Sequence, residues 1–222
     1  MIFFICIILS LFIGYLLIGI FNIRQNTFIK SINSIEMGSI CLTFDDGPDP
    51  IMTPKILNIL KKHNVKANFF LIGSCLLENE NIVKRIHSEG HTIGCHTFNH
   101  KPTFPIYSKK RMEYELVKTN NLIKSITSDK VVLFRPPFGI TTPVISKVLI
   151  NLKMISVGWD IRSLDTIISN PVQLFRRIKK GIDHGGTVIL FHDRCESSLV
   201  ILEKVILYCF EKELTFKTIQ NA

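Results

Sequence analysis

Hydrophobic positions divide the chain into two parts of different character. Residues 1–22 carry no charged side chain, and only Ser10, Gly14, Gly19 and Asn22 in that stretch fall outside the hydrophobic set. No polar face interrupts the run, so it predicts a helix that is apolar all round rather than one side of a soluble core. At about 1.5 Å per residue it reaches about 33 Å, enough to cross a hydrocarbon core of about 30 Å. A cleaved signal sequence has a basic start, a shorter apolar run and small residues at the cut. None of these is clear here, and the expectation is an uncleaved transmembrane anchor over residues 1–22. Residues 23–37 read as a short polar link.

From residue 38 to 222 short apolar runs alternate with longer stretches of helical spacing. Runs at 39–44, 66–72, 91–95, 131–134, 153–157, 187–191 and 214–218 predict seven strands. Between them, 54–62, 81–88, 109–126, 143–152, 171–181 and 197–212 predict helices. The first of these has Thr53 as N-cap and Pro54 in its first turn, and Gly90 closes the second. Strands apolar along their whole length, alternating with helices, mean a parallel sheet covered by helices. Polar residues gather just after the strands: Asp45 and Asp46, His96, Arg135, Trp159 to Asp165, and His192. Several strands delivering polar groups to one end is the pattern of a barrel's C-terminal face, whereas an open sheet concentrates them at one switch point. The expected fold is α/β, a distorted TIM-like barrel of about seven strands in one domain over 38–222, preceded by one transmembrane helix.

Composition changes this picture little. Hydrophobic residues at 46 % and charged residues at 20 % exclude a disordered chain, which lacks the apolar surface to offset its ordering entropy. The mean hydropathy of +0.28 is largely the anchor's. Twenty-seven basic against 18 acidic residues give a net charge of +9, which raises anionic lipid, envelope polymer and nucleic acid as partners. The Lys-Lys pairs at 61–62, 109–110 and 179–180 are scattered, so a solubilising surface is the plain reading and nucleic acid is not expected. Arg24 and Lys30 follow the anchor and, by the positive-inside rule, vote for a cytoplasmic domain. Cys6 lies in the anchor. The odd number left, Cys41, Cys75, Cys95, Cys195 and Cys209, forms no CxxC and reads as free, mostly buried thiols.

Five segments carry candidate chemistry. Asp45 and Asp46 are adjacent where a buried strand enters a Gly47-Pro48 turn. Strand alternation points neighbours apart, so the two carboxylates can do different work; a solvated turn pair is the plain alternative. His96 and His100 are four apart, and on a helical turn they would face one side and clamp one metal. Joined to a carboxylate from another strand end, they form a two-His, one-carboxylate site with open positions, suited to Zn²⁺ or another divalent ion. Arg135-Pro136-Pro137-Phe138-Gly139 fixes a tight loop: either a structural turn, or an Arg that holds a carboxylate beside a rigid N–H able to serve an oxyanion. Trp159, the one Trp, plugs the barrel mouth or lines a site, with Asp160 and Asp165 close behind. Leu190-Phe191-His192-Asp193 ends a strand with His192 at the rim, structural or acid–base. His63, His87, His91 and His184 read as structural.

Taken in order, these segments resemble the polysaccharide deacetylase family (carbohydrate esterase family 4, with its NodB-homology domain). The matching motifs are TFDDGP at 43–48, HTFNH at 96–100, RPPFG at 135–139, the Trp159 to Asp165 segment, and LFH at 190–192, within a match of roughly 38–220. The resemblance implies that Asp46, His96 and His100 bind Zn²⁺, with Co²⁺ or a similar ion as alternatives. It implies Asp45 as the base for an attacking water and His192 as the acid for the leaving sugar nitrogen. Asp165, rather than Asp160, would orient His192, and Arg135 would orient Asp45. The Phe138 backbone N–H would serve the oxyanion, and Leu190 and Trp159 would line a pocket for the acetyl methyl.

The implied activity is removal of N-acetyl groups from an amino-sugar polysaccharide such as peptidoglycan, on a domain facing the cell envelope. A sibling expectation is deacylation of a lipid-linked amino sugar, which would suit a cytoplasmic face. The non-enzymatic alternative is a degenerate carbohydrate-binding barrel, and the complete set of site residues argues against it. Three positions depart from the family pattern: Phe138 where Tyr is common, Thr166 where Trp is common, and Arg162 where an acid often stands. These bear on the groove wall and the substrate rather than on the metal.

Overall fold

The computed structural model describes residues 2–220; Met1 of the expected anchor and residues 221–222 of the expected domain lie outside the described residues. Nine strands join one parallel sheet: β1 (Ser31–Ile32), β2 (Ser39–Gly47), β3 (Asn68–Leu71), β4 (Thr92–Cys95), β5 (Leu133–Phe134), β6 (Ile155–Val157), β7 (Ile161–Arg162), β8 (Val188–His192) and β9 (Thr215–Phe216). The order is β1-β6-β5-β4-β3-β2-β8-β7, with β9 paired to β2 off that path. Eight strands thus curl into a half-barrel of the TIM-like kind, and the seven expected strands are all present. The two additional ones are two-residue strands, too short to leave a periodic signal. One of them, β1, comes from the stretch read as a link and aligns Ser31 with Ser156 of β6.

Helices α1 (Ile2–Phe21), α2 (Met52–Lys62), α3 (Glu80–Ser88), α4 (Lys109–Thr127), α5 (Pro143–Leu152), α6 (Pro171–Asp183) and α7 (Glu196–Glu211) complete the chain. Their starts follow local chemistry. Ser108, Thr142 and Asn170 accept backbone N–H groups as N-caps of α4, α5 and α6, and Pro143 and Pro171 occupy first turns. In α1, residues Phe3–Phe21 have a mean hydropathy of 2.8 and are almost wholly exposed, which meets the length and composition of a membrane span or of a signal sequence. Its last turn is tied to the domain: the Thr141 N–H donates to the Ile20 carbonyl at 2.9 Å and the Thr141 hydroxyl to the Gly19 carbonyl at 2.8 Å.

Strand alternation sorts the core into two layers. Ile40, Leu42 and Phe44 of β2 face the helices, and Phe44 stacks between Phe69 at 5.1 Å and Phe191 at 5.6 Å. The intervening Cys41 faces the barrel interior with Phe70, Leu133, Val157, Trp159, Val188, Leu190 and Ile219. Asn68 closes the base by exchanging hydrogen bonds with the Ile219 backbone at 2.8 and 3.1 Å. Further along the same inward-facing rows the residues turn polar: Thr43 and Asp45 on β2, Arg135 after β5, His192 on β8. The cysteines of the described residues are all free. Burial pushes the Cys41, Cys95 and Cys209 thiols up to about 12.

Candidate active site

Asp45 stands opposite His192 in the β2–β8 ladder, so pairing alone brings a carboxylate and an imidazole to one rim. After Asp45 the β2–β3 register shifts, and Asp46 takes a φ of +77°. The irregularity turns Asp46 away from its neighbour's direction, as bulges beside functional sites do. Gly47 is required there, because a Cβ would fall 1.9 Å from an Asp193 carboxylate oxygen. Asp193 is fully buried, its carboxyl pushed up to about 7 by burial, and it accepts the Thr53 hydroxyl at 2.7 Å.

Asp46 Oδ1 faces His96 Nε2 at 3.5 Å and His100 Nε2 at 3.4 Å. The three ligand-type atoms lie within 4.8 Å of one another. Residues 96–100 do not form the helical turn expected for them. Thr97 and His100 have φ of +65° and +48°, and the segment is an irregular loop. Buried Glu115 of α4 causes this by accepting the Phe98 and Asn99 N–H groups at 3.0 and 2.9 Å, while the Thr97 hydroxyl accepts the His100 N–H at 3.0 Å. The His96 Nδ1 lies 2.8 Å from the Arg135 carbonyl. A carbonyl only accepts, so Nδ1 carries a proton and Nε2 is the ring nitrogen turned to Asp46. Burial and the neighbouring His96 lower His100 to about 4. Burial alone would raise Asp46, but His96, His100 and Arg194 outweigh it and hold the carboxyl below its ordinary value.

These features fit a divalent cation. Asp46 Oδ1 is buried with no hydrogen-bond partner, and the two facing imidazole nitrogens complete a set of three ligand-type atoms. The set of one carboxylate and two imidazoles is that of Zn²⁺ and similar ions, and the His96–Arg135 carbonyl bond is the orienting partner such ligands carry.

Arg135 is fully buried and makes four hydrogen bonds. It donates to Asp45 Oδ1 and the Thr43 hydroxyl at 2.7 Å, to the Val157 carbonyl at 3.1 Å and to the Gly158 carbonyl at 2.6 Å. Its guanidinium lies 4.2 Å from the Phe70 ring centroid and 5.6 Å from that of Trp159. One Asp45 oxygen is thereby fixed and the other points toward His96, 3.9 Å from Nε2.

Across the mouth, His192 Nδ1 is 2.8 Å from Asp165 Oδ1. Asp165 also accepts the His192 N–H at 2.7 Å and the Ser198 hydroxyl in a very short contact. Burial opposes charge on His192, but the hydrogen bond and charge of Asp165, with Asp45 and Asp46 beyond, raise its pKa above the ordinary value. Asp160 is engaged elsewhere, accepting the N–H groups of Thr187 and Val188. Leu190 and Trp159 lie inside the barrel below His192, and a Cβ on Gly139 would meet the Trp159 ring at 2.5 Å. Phe138 is half exposed with a φ of +59°, its ring 5.1 Å from His100. As the second residue of the one-turn segment Pro137–Gly139, its N–H has no partner within that turn.

All ten residues expected from the sequence gather at this one mouth. Three others were missed. Glu115 shapes the histidine loop from a helix distant in sequence, and Ser198 reaches Asp165 from α7. Arg194 donates to Asp46 Oδ2 at 2.6 Å. Its position two residues after His192 was the available signal.

Comparison with known proteins agrees with this geometry. The family model described as polysaccharide deacetylase matches residues 34–156. A peptidoglycan-N-acetylglucosamine deacetylase of Bacillus cereus is 35% identical over 82% of this chain and 67% of its own length. A peptidoglycan-N-acetylmuramic acid deacetylase of Bacillus subtilis is 30% identical over 89% of this chain and 78% of its own. Against a Listeria monocytogenes peptidoglycan-N-acetylglucosamine deacetylase the chain spans only 38% of the relative's length. Among solved structures, a CE4 family pseudoenzyme from Bacillus anthracis superposes with a TM-score of 0.77 at 30% identity, covering 83% of this chain and 64% of that one. A mutant of that pseudoenzyme is described as having restored enzymatic activity. Fold, motifs and kinship converge, and the chain belongs to the polysaccharide deacetylase family.

Proposed function

We propose that this domain is a metal-dependent hydrolase that removes N-acetyl groups from an N-acetylglucosamine-containing glycan of the peptidoglycan or chitooligosaccharide kind, beside a membrane in which α1 is the anchor. The observation that carries the reading is the single mouth holding an orphaned Asp46 oxygen against two imidazole nitrogens, with Asp45 pinned by Arg135 and His192 pinned by Asp165. Pseudoenzymes occur among the similar proteins, so kinship alone does not carry activity; the intact set of side chains does.

Asp46, His96 and His100 would hold the ion. When bound, a divalent cation supplies Lewis-acid polarisation and lowers the pKa of water in its open coordination position. Asp45 takes the proton of the attacking water on the oxygen that Arg135 leaves unbonded, a general-base role worth roughly 10²–10⁴ in rate. The Phe138 N–H donates to the developing oxyanion, a contribution of about 3–4 kcal/mol for a well-placed donor. His192, whose pKa Asp165 raises, gives its proton to the departing sugar nitrogen. Leu190 and Trp159 seat the acetyl methyl and exclude water. Acetate and a free amino sugar result.

A lipid-linked amino sugar is a second reading favoured by one observation. The last turn of α1 is bonded to Thr141, directly beyond the Pro137–Gly139 turn, so the mouth stands close to the anchor. Acetate release from chitooligosaccharides, peptidoglycan and a lipid-linked acetylated amino sugar, compared side by side, tests both. Turnover of a polymer supports the first, turnover of the lipid-linked sugar alone supports the second, and turnover of none refutes the assignment.

A further inference from the structure

A cleft away from the mouth collects cations for which the chemistry above has no use. It lies between β7 and α6, has a volume of about 520 Å³, and is lined by Arg162 of β7 and by Arg176, Arg177, Lys180 and His184 on the α6 side. The helical positions fall on one face at the spacing of successive turns. Arg162, Arg176, Arg177 and Lys180 are exposed, and none of them forms an ion pair among the described residues.

The nearby acids are committed elsewhere. Asp160 lines the cleft, but its oxygens accept the Thr187 and Val188 N–H groups and the Thr187 hydroxyl. Asp183 pairs with Lys179 and Tyr208. Arg177 is held in place by its Nε, which donates to the Arg162 carbonyl at 2.8 Å and covers the backbone of the strand that ends the sheet order. Asp160 keeps its charge, but four cations outnumber that one carboxylate, and a cleft of net positive charge is a site for an anion. Three guanidinium forks and an ammonium around one cleft match the oxygens of a phosphate group.

We propose that this cleft binds the phosphate of an anionic lipid headgroup and so seats the barrel against the bilayer. The source is argued from continuity with α1. After the helix, the Asn33 side chain bonds the Ile23 carbonyl, the Ile35 N–H donates to the Thr187 hydroxyl oxygen at 2.9 Å, and Thr187 in turn binds Asp160 at the cleft wall. The segment that leaves the anchor is therefore tied, through Thr187, to the Asp160 wall of the cleft. The proposal rests on reading α1 as an uncleaved anchor.

The test uses the full chain in an uncharged detergent, titrated with phosphatidylglycerol, phosphatidylcholine and inorganic pyrophosphate, with bound species counted by native mass spectrometry. Arg176→Gln with Lys180→Gln is compared with Lys55→Gln with Lys124→Gln, which removes the same charge from exposed positions elsewhere. The expected result is preference for phosphatidylglycerol over phosphatidylcholine, weakened about tenfold or more in the cleft variant and less than about twofold in the control. Acetate release from chitooligosaccharides stays unchanged in both. Equal weakening in the two variants, or no preference for the anionic lipid, overturns the site. Pyrophosphate bound in the cleft without phosphatidylglycerol overturns the lipid source. Absence of lipid binding by the unaltered chain, with its acetate release intact, strikes the cleft alone. Absence of acetate release from the unaltered chain strikes the proposed function and leaves the binding measurement readable.

Discussion

The base and the mouth of the barrel interior are built from the same inward-facing strand positions, yet they are opposite in chemistry. At the base Cys41, Val188 and Ile219 are buried and apolar, and the one amide, Asn68, has its oxygen and nitrogen spent on the Ile219 backbone. At the mouth Asp46 Oδ1 is buried and left without a partner, and Asp45 has one oxygen bound to Arg135 and the other facing His96. A buried polar atom without a partner costs roughly 1–3 kcal/mol, so an interior that satisfies its base and leaves its mouth short is arranged for a ligand. Asn68 therefore holds the fold, and Asp46 holds function.

This contrast can be broken by substitution. The largest effect is expected at Asp46 and Asp45. Asp46→Ala removes the cation's carboxylate and Asp45→Asn removes the base, and each lowers kcat by roughly 10²–10⁴ or more. Asp46→Ala leaves the melting temperature near that of the parent, because its side chain does not pack the apolar core, whereas Asp45→Asn also strips buried Arg135 of its counter-charge and lowers stability. A large fall in stability with activity per folded molecule retained would invert the assignment of mouth and base.

Arg135 sharpens the comparison because it belongs to both regions. Arg135→Met leaves Asp45 buried without its counter-charge, which costs about 3–5 kcal/mol for a broken buried pair. Chemical denaturation and acetate release should therefore fall together, as for Asp45→Asn and unlike in the Asp46 variant.

The next effect is a shift in pH dependence. His192 must be protonated to act as the acid, and Asp165 raises its pKa. Activity is thus present below that raised pKa and lost as pH rises through it. Asp165→Asn removes the carboxylate that raises it, so the alkaline limb of kcat moves to lower pH and the maximum falls. An alkaline limb that stays in place removes His192 from the acid role. The smallest effect is at the base: Asn68→Leu orphans the Ile219 N–H and carbonyl, costing roughly 1–3 kcal/mol in denaturation with kcat unchanged.

Much of the mouth was legible in the sequence because a parallel strand ends where its apolar run ends. Asp45, Arg135 and His192 each follow such a run, so their shared rim follows from chain order. Local pattern failed where the cause was distant. His96 and His100 converge through αL residues held by Glu115, not through the helical turn that their spacing suggests. Strands β1 and β7 owe their existence to neighbours already in the sheet, and two residues hold no period. The engagement of Asp160 with Thr187 and Val188, and of Asp165 with His192, depends on where β7 and β8 align, which no spacing within one segment reports.

The central claim is that Asp46, His96 and His100 hold the cation on which turnover depends. Its most direct test is acetate release from N-acetylated chitooligosaccharide by the full chain after exhaustive chelation, then after addition of Zn²⁺ or Co²⁺, beside the Asp46→Ala variant. The account predicts loss of turnover on chelation, recovery with either ion, and no recovery in the variant. Undiminished turnover by the chelated chain, or full recovery in Asp46→Ala, would contradict it.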